Sequence, residues 1–164
     1  MFKLINELSL IGKEAVMVDA LVKKRFEFLE HTADAYIAAY GESLEEAFEN
    51  AAYATFEVMT DVEKVKPEFE DSVKVEAHDE HALLYNWLEE LLVRFETTSN
   101  LFSRFEISSV KETLSGLKLK AKVWGEPFDP ERHPQRAGVK AITYHQMEIV
   151  KKPKAVTLKF ILDI

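Results

Sequence analysis

The chain has 164 residues, a formal net charge of −8 at pH 7 and no cysteine. This length suits one domain with its own core, and the absence of thiols excludes disulfides, cysteine nucleophiles, zinc fingers and iron–sulfur clusters. The acidic balance argues against unaided, non-specific binding of nucleic acid, because contacts to phosphates need a concentrated basic surface.

The first 24 residues differ in pattern from the rest of the chain. Their apolar residues recur near the helical period but are interrupted by Gly12, so a weak amphipathic helix and a flexible terminus both fit. Acidic residues within this stretch argue against a signal peptide. We therefore expect an N-terminal extension over residues 1–24 and a single domain over residues 25–164.

Two short strands and a helix are predicted next. The strands cover residues 26–30 and 35–40, and Gly41 ends the second one. Ser43 followed by Glu46 is a capping box, so a helix is expected to begin here. The inward face of this helix is formed by Leu44, Phe48, Ala51, Thr55 and Met59.

A strand over residues 73–77 leads to a second helix, which Asp79 caps and which runs to about Thr98. A hairpin around Ser115-Gly116 follows, and its second strand alternates apolar residues with lysines. Two explanations stay open for these lysines: a solvated face that discourages edge-to-edge pairing, or a basic contact strip for an anionic partner. The lysines are Lys118, Lys120 and Lys122.

The last third of the chain is predicted to be mostly strand. A polar, proline-rich loop over residues 129–135 precedes strands over residues 139–151 and 156–162. The order of elements indicates an α+β fold, in which two main helices cover one face of a two-layer arrangement with a largely antiparallel sheet.

The turn His31-Thr32-Ala33-Asp34 is the first candidate site. Turn chemistry alone explains Thr32 and Asp34, since such side chains satisfy backbone donors. However, the chain stays strand-like up to Asp163-Ile164. If the two ends of the domain meet, the carboxylates of Asp34, Asp163 and the chain terminus form an oxygen-rich set suited to Ca²⁺ or Mg²⁺.

The remaining histidines give weaker signals. His78 and His81 flank the start of the second helix and suit surface capping, whereas His133 and His145 are candidates for the same edge as the turn. The sequence has no two-histidine zinc motif, nucleophile elbow, phosphate-binding loop or dinucleotide fingerprint. These absences weaken the case for an enzyme.

Several short motifs occur in order and at sensible spacing between Arg25 and Ile164. They are His31-Thr32-Ala33-Asp34, Ser43 to Phe48, Met59-Thr60-Asp61, Leu83 to Leu88, Trp124 to Phe128, His133-Pro134, Val139 to His145 and Asp163-Ile164. Together they resemble the archease family.

The resemblance implies a small α+β protein that is not itself an enzyme. It would assist an RtcB-type RNA ligase in tRNA splicing, speeding guanylylation of the ligase and restoring it after turnover, with tRNA contacted only through that partner. An older proposal for the family is a chaperone-like modulator of a tRNA cytosine methyltransferase.

The resemblance also assigns residues. Asp34 and Asp163 match metal-associated acidic positions and Ile164 the adjacent C-terminal position, while His31, Asp61 and His145 are possible supporting residues. The expected cofactor is a divalent ion, Ca²⁺ first and Mg²⁺ or Mn²⁺ as alternatives. No run approaches the roughly 18 apolar residues of a membrane span, and the lack of cysteine fits a reducing interior, so we expect a cytoplasmic protein without a membrane partner.

Overall fold

The computed structural model describes residues 23–164. The helix considered for the N-terminal extension therefore lies outside the described residues. Neither α-helix in the described part is both long and apolar enough to cross a membrane. In chain order the elements are β1 (Phe26–Leu29), β2 (Ala35–Gly41), α1 (Leu44–Met59), a 3₁₀ helix (Val62–Lys64), β3 (Phe69–Ala77), α2 (Glu80–Thr98), β4 (Asn100–Thr113), β5 (Gly116–Pro127), β6 (Ala141–Lys152) and β7 (Ala155–Asp163).

The strands form two antiparallel sheets. The four-stranded sheet has the order β1-β2-β7-β6, and the three-stranded sheet has the order β3-β5-β4. The prediction of an α+β fold with two main helices and antiparallel strands is confirmed. The strands are divided between two sheets, where one had been expected, and each helix contacts strands of both.

Helix α1 lies between the two sheets. It begins as predicted, with the Ser43 hydroxyl accepting a hydrogen bond from the Glu46 N–H at 3.1 Å. It contacts β2 and β7 on one side and β4 on the other. From residue 47 to residue 59, only one stripe of three residues spaced four apart is partly exposed: Glu49, Tyr53 and Glu57. Of the inward face predicted from periodicity, Leu44 is partly buried and the other four residues are buried, and burial extends around most of the helix.

Helix α2 is tied to α1 by its one tryptophan. Asp79 caps its first turn by accepting from the Ala82 N–H at 2.8 Å, and Ser99 ends the helix with a left-handed φ of 59°. The Trp87 side chain is fully buried, and its indole N–H donates to the Phe48 carbonyl of α1 at 3.0 Å. The face of this helix that carries Trp87 is thus part of the core.

Candidate functional site

Asp34 and Asp163 lie at the same end of the four-stranded sheet. Strand β2 pairs with β7 so that Ala35 faces Leu162. Asp34 directly precedes Ala35 and Asp163 directly follows Leu162, so both aspartates adjoin this last pair of the β2–β7 ladder. On its other side, Asp163 pairs with Ala141 of β6. The two aspartates, distant in sequence, therefore share one end of the sheet, which we call the acidic tip.

The acidic tip faces solvent. The Asp34 side chain is 31% exposed, Asp163 is exposed, and Ile164 is 37% exposed. The last strand is held in place because the Asp163 carbonyl accepts a hydrogen bond from the Lys140 N–H at 2.8 Å. A cation from solution can therefore reach these carboxylates without any opening of the core.

His31 lies beside Asp34, as the turn predicts. Its Nδ1 is 3.9 Å from Asp34 Oδ2, which is longer than a hydrogen bond, and its ring contacts the edge of the Tyr36 ring with centroids 6.0 Å apart. The aromatic contact limits the orientations of the imidazole. His31 is thus placed to interact with Asp34 through a small side-chain movement.

The other two supporting candidates have different surroundings. Asp61 caps the 3₁₀ helix by accepting from the Glu63 N–H at 3.2 Å, and it lines a cavity of about 450 Å³ whose walls include neither Asp34 nor Asp163. His145 is exposed in the irregular part of β6 between Thr143 and Glu148. Over residues 23–164, no group of three His, Asp or Glu residues is placed to hold a metal ion.

His133 was a candidate for the edge that carries the His31–Asp34 turn, but it does not lie there. It is buried in a charged cluster that the sequence reasoning missed. Its Nδ1 accepts from the Asp129 N–H at 2.8 Å, so Nε2 carries the proton that it donates to Glu126 Oε1, also at 2.8 Å. Both Glu126 and His133 are 1% exposed. The signal available in the sequence was the density of charged residues between Glu126 and His133, which suggested only a polar loop.

Glu126 is the centre of this cluster. Both of its oxygens accept from the Arg132 guanidinium at 3.0 Å, and Oε1 also accepts from the Lys66 N–H at 2.9 Å. Burial by itself raises the pKa of this carboxyl, but the hydrogen bonds from Arg132, Lys66 and His133 outweigh it and lower the pKa to about 2. The cluster fixes the loop after β5, which leads through Lys140 to the acidic tip.

This pKa predicts acid sensitivity. Because the pKa of Glu126 is lowered from 4.5 to about 2 in the folded protein, the stabilisation is complete above about pH 5 and is lost as the pH falls towards 2. The difference corresponds to about 3 kcal/mol. Urea unfolding of wild type and Glu126→Gln at pH 7, 5 and 3 measures it. We expect a shallower decline for Glu126→Gln below pH 5, and parallel profiles would contradict the assignment.

The fold and the acidic tip together define a class of protein: a small α+β protein with helices between antiparallel sheets and two aspartates at one end of a sheet. The family model described as the Archease protein family matches residues 26–164. The chain is 49% identical to an archease of Sulfurisphaera tokodaii over 141 residues, 86% of this chain and 99% of that protein. It is 51% identical to an archease of Pyrococcus abyssi over 130 residues, covering 79% and 91% of the two chains. The chain belongs to the archease family.

Solved structures agree with this assignment. The solution structure of protein 1598 of Methanobacterium thermoautotrophicum superposes with a TM-score of 0.76 at 44% identity, covering 87% of this chain and 100% of that one. A crystal structure from Thermotoga maritima, described as an archease and possible chaperone, has a TM-score of 0.56 at 16% identity, with 84% and 96% coverage. The second likeness concerns the fold alone.

Proposed function

We propose that this archease is a non-enzymatic activator of an RtcB-type RNA ligase in tRNA splicing in the cytoplasm. It would promote guanylylation of the ligase and its return to activity after each turnover. The observation that carries the proposal is that Asp34 and Asp163 adjoin the same end of the β2–β7 ladder, with Asp163 exposed and Asp34 partly exposed. This proposal extends the family assignment with the role that the sequence resemblance implies.

The chemistry of the tip suits a hard divalent cation. Asp34 and Asp163 would hold it together with the carboxyl group of Ile164, and carboxylate oxygens are the donors that Ca²⁺, Mg²⁺ and Mn²⁺ prefer. Bound there, the ion would supply positive charge beside the phosphates of a nucleotide. Because Ca²⁺ takes six to eight oxygens, the remaining positions would be filled by water or by the ligase. His31 would orient Asp34.

The position of the tip supports an accessory role. Its carboxylates stand at an exposed end of a sheet, whereas sites that enclose a small substrate are usually concave and largely apolar. A projecting end can enter the active site of another protein. We infer that the tip acts in this way on the ligase, and that tRNA reaches the complex through the ligase.

Multiple-turnover RNA ligation tests the proposal. Ligase with wild-type protein is compared with ligase alone and with Asp34→Ala, Asp163→Ala and the control Glu112→Ala, which removes an exposed carboxylate from the β4–β5 hairpin. We expect each aspartate variant to stimulate ligase turnover at least tenfold less than the wild-type protein, with an unchanged circular dichroism spectrum. Glu112→Ala should stimulate as the wild type does. Normal stimulation by both aspartate variants would refute the site.

A chaperone-like role is the second candidate. It is the older proposal that the archease resemblance implies, and the T. maritima structure that shares the fold is itself described as a possible chaperone. In this case the protein would modulate a tRNA cytosine methyltransferase, changing which tRNA positions are methylated without any effect on ligation. Mapping of modified cytosines beside the ligation assay separates the two candidates.

A further inference from the structure

The outward side of the three-stranded sheet forms a surface that we call the basic face. Register pairs its residues into four rows across β4, β5 and β3. Most of these side chains are exposed. In row order the residues are Arg104, Trp124 and Glu70; Glu106, Lys122 and Ser72; Ser109, Lys120 and Lys74; and Lys111, Lys118 and Glu76.

Charge is strongly segregated between this face and the rest of the protein. Six of its twelve residues are cationic and three are acidic, so it carries a charge of +3. The whole chain carries −8, so the remainder carries −11. The argument from net charge against nucleic-acid binding therefore does not apply to this face, because a local basic surface is what contacts phosphates.

Half of the cations on the basic face lack an acidic partner among the described residues. Ion pairs neutralise Lys118, Lys122 and Arg104, which contact Glu76, Glu70 and Glu106 respectively. Lys74, Lys111 and Lys120 form no ion pair within residues 23–164.

The rows also place like charges together. Lys74 lies directly opposite Lys120, and Lys111 lies opposite Lys118. Like charges in opposite positions destabilise a sheet, so folding does not explain the arrangement. Protection of an edge does not explain Lys118 and Lys120, because β5 is the central strand of its sheet, whereas Lys74 and Lys111 lie on its edge strands. An external anion would relieve the repulsion.

Trp124 adds an aromatic surface to the same face. It is half-buried in the row at the end of the sheet, and the Arg104 guanidinium lies over its ring, 4.5 Å from the ring centre, so a stacking base would displace Arg104 or stack with it. Proteins that bind single strands combine cations that follow the phosphates with aromatic rings on which bases stack. A sheet surface that presents aromatic rings is also how common RNA-binding domains receive bases.

We propose that the basic face binds single-stranded nucleic acid, with phosphates along Lys74, Lys120 and Lys111 and one base stacked at Trp124. This goes beyond the activation of a ligase through the acidic tip. It does not depend on that proposal, because the residues involved are different. An acidic protein surface would satisfy the lysines but would not require stacking on the tryptophan.

Fluorescence anisotropy of a labelled 12-nucleotide oligouridine tests the charges. We expect Lys74→Ala/Lys120→Ala to weaken binding by the full-length protein roughly tenfold at low salt. The dependence of log K on log salt should become shallower by about 1.4, since each contact to a single strand contributes about 0.7. The control Lys152→Ala/Lys154→Asn removes two charges from the β6–β7 turn, and asparagine tolerates the left-handed φ of 55° at position 154.

Tryptophan fluorescence tests the stacking. Trp87 is fully buried, so quenching by unlabelled oligouridine reports on Trp124, and Trp124→Leu should lose the quenching and weaken binding roughly tenfold. Asp34→Ala should bind like wild type, so this proposal and the ligase proposal can fail separately. Three results would each overturn the proposal: equal losses of affinity in the control variant, an equal affinity for duplex, or no binding at low salt. A fourth would do so as well, namely binding of oligouridine that does not quench the fluorescence and that is no tighter than the binding of heparin. This fourth result indicates an acidic protein partner.

Discussion

Glu126→Ala is expected to lower the free energy of unfolding by about 3 to 5 kcal/mol at pH 7, because removing one partner from a buried charged network leaves the others unsatisfied. The Nε2–H of buried His133 would lose its acceptor, as would the Lys66 N–H. The substitution also leaves a void where a carboxylate and one methylene group were packed. Urea unfolding followed by circular dichroism measures the effect.

The control for this variant is Asp129→Ala. Asp129 contacts the same guanidinium at 3.0 Å, but its side chain is 38% exposed. Exposed ion pairs contribute little, so we expect a loss below about 1.5 kcal/mol, including the hydrogen bond from the Glu131 N–H. Equal losses for the two variants would show that Glu126 is not the centre of the cluster.

Trp87→Ala should destabilise the protein by about 4 kcal/mol, within the range for removal of a large aromatic side chain from a core. This is one of the largest fully buried side chains, and its ring contacts Phe105 of β4 edge-to-face with centroids 6.5 Å apart. Its removal therefore affects the junction of α1, α2 and the three-stranded sheet together. The expected result is a large fall in the urea midpoint.

Val93→Ala on the same helix is the matched control, since Val93 is 45% exposed. Its expected loss is within about 0.5 kcal/mol, as for other surface substitutions. A Trp87→Ala variant as stable as Val93→Ala would contradict the placement of α2 against both α1 and the sheet.

The features that the sequence predicted well are the ones that depend on neighbouring residues. The Ser43 and Asp79 caps act within one helical turn, so both helix starts were predicted to within a residue. The division of the strands into two sheets depends instead on which strands meet. Alternation of apolar and polar residues shows that a strand has an inward face. Strands of both sheets bury that face against helices, so the alternation is the same in both and does not show to which sheet a strand belongs.

The cluster around Glu126 could not be predicted for a similar reason. One of its hydrogen bonds comes from the Lys66 N–H, 60 positions away from Glu126, so the loop sequence by itself appeared merely polar. At the tip, the strand-like character of the chain up to Ile164 was the useful signal. The structure brings Asp34 and Asp163 together there, and it places Asp61 in a separate cavity. The metal-binding role of the tip remains a prediction.

The pairing of β2 with β7 has a consequence for biosynthesis. Ala35 and Leu162 face each other across 127 positions of sequence. Contacts between residues so far apart in sequence form late, because the entropy of closing a long loop is lost before these contacts stabilise the fold. During translation, β2 therefore presents an open hydrogen-bonding edge until β7 has left the ribosome, and an exposed edge of this kind invites aggregation.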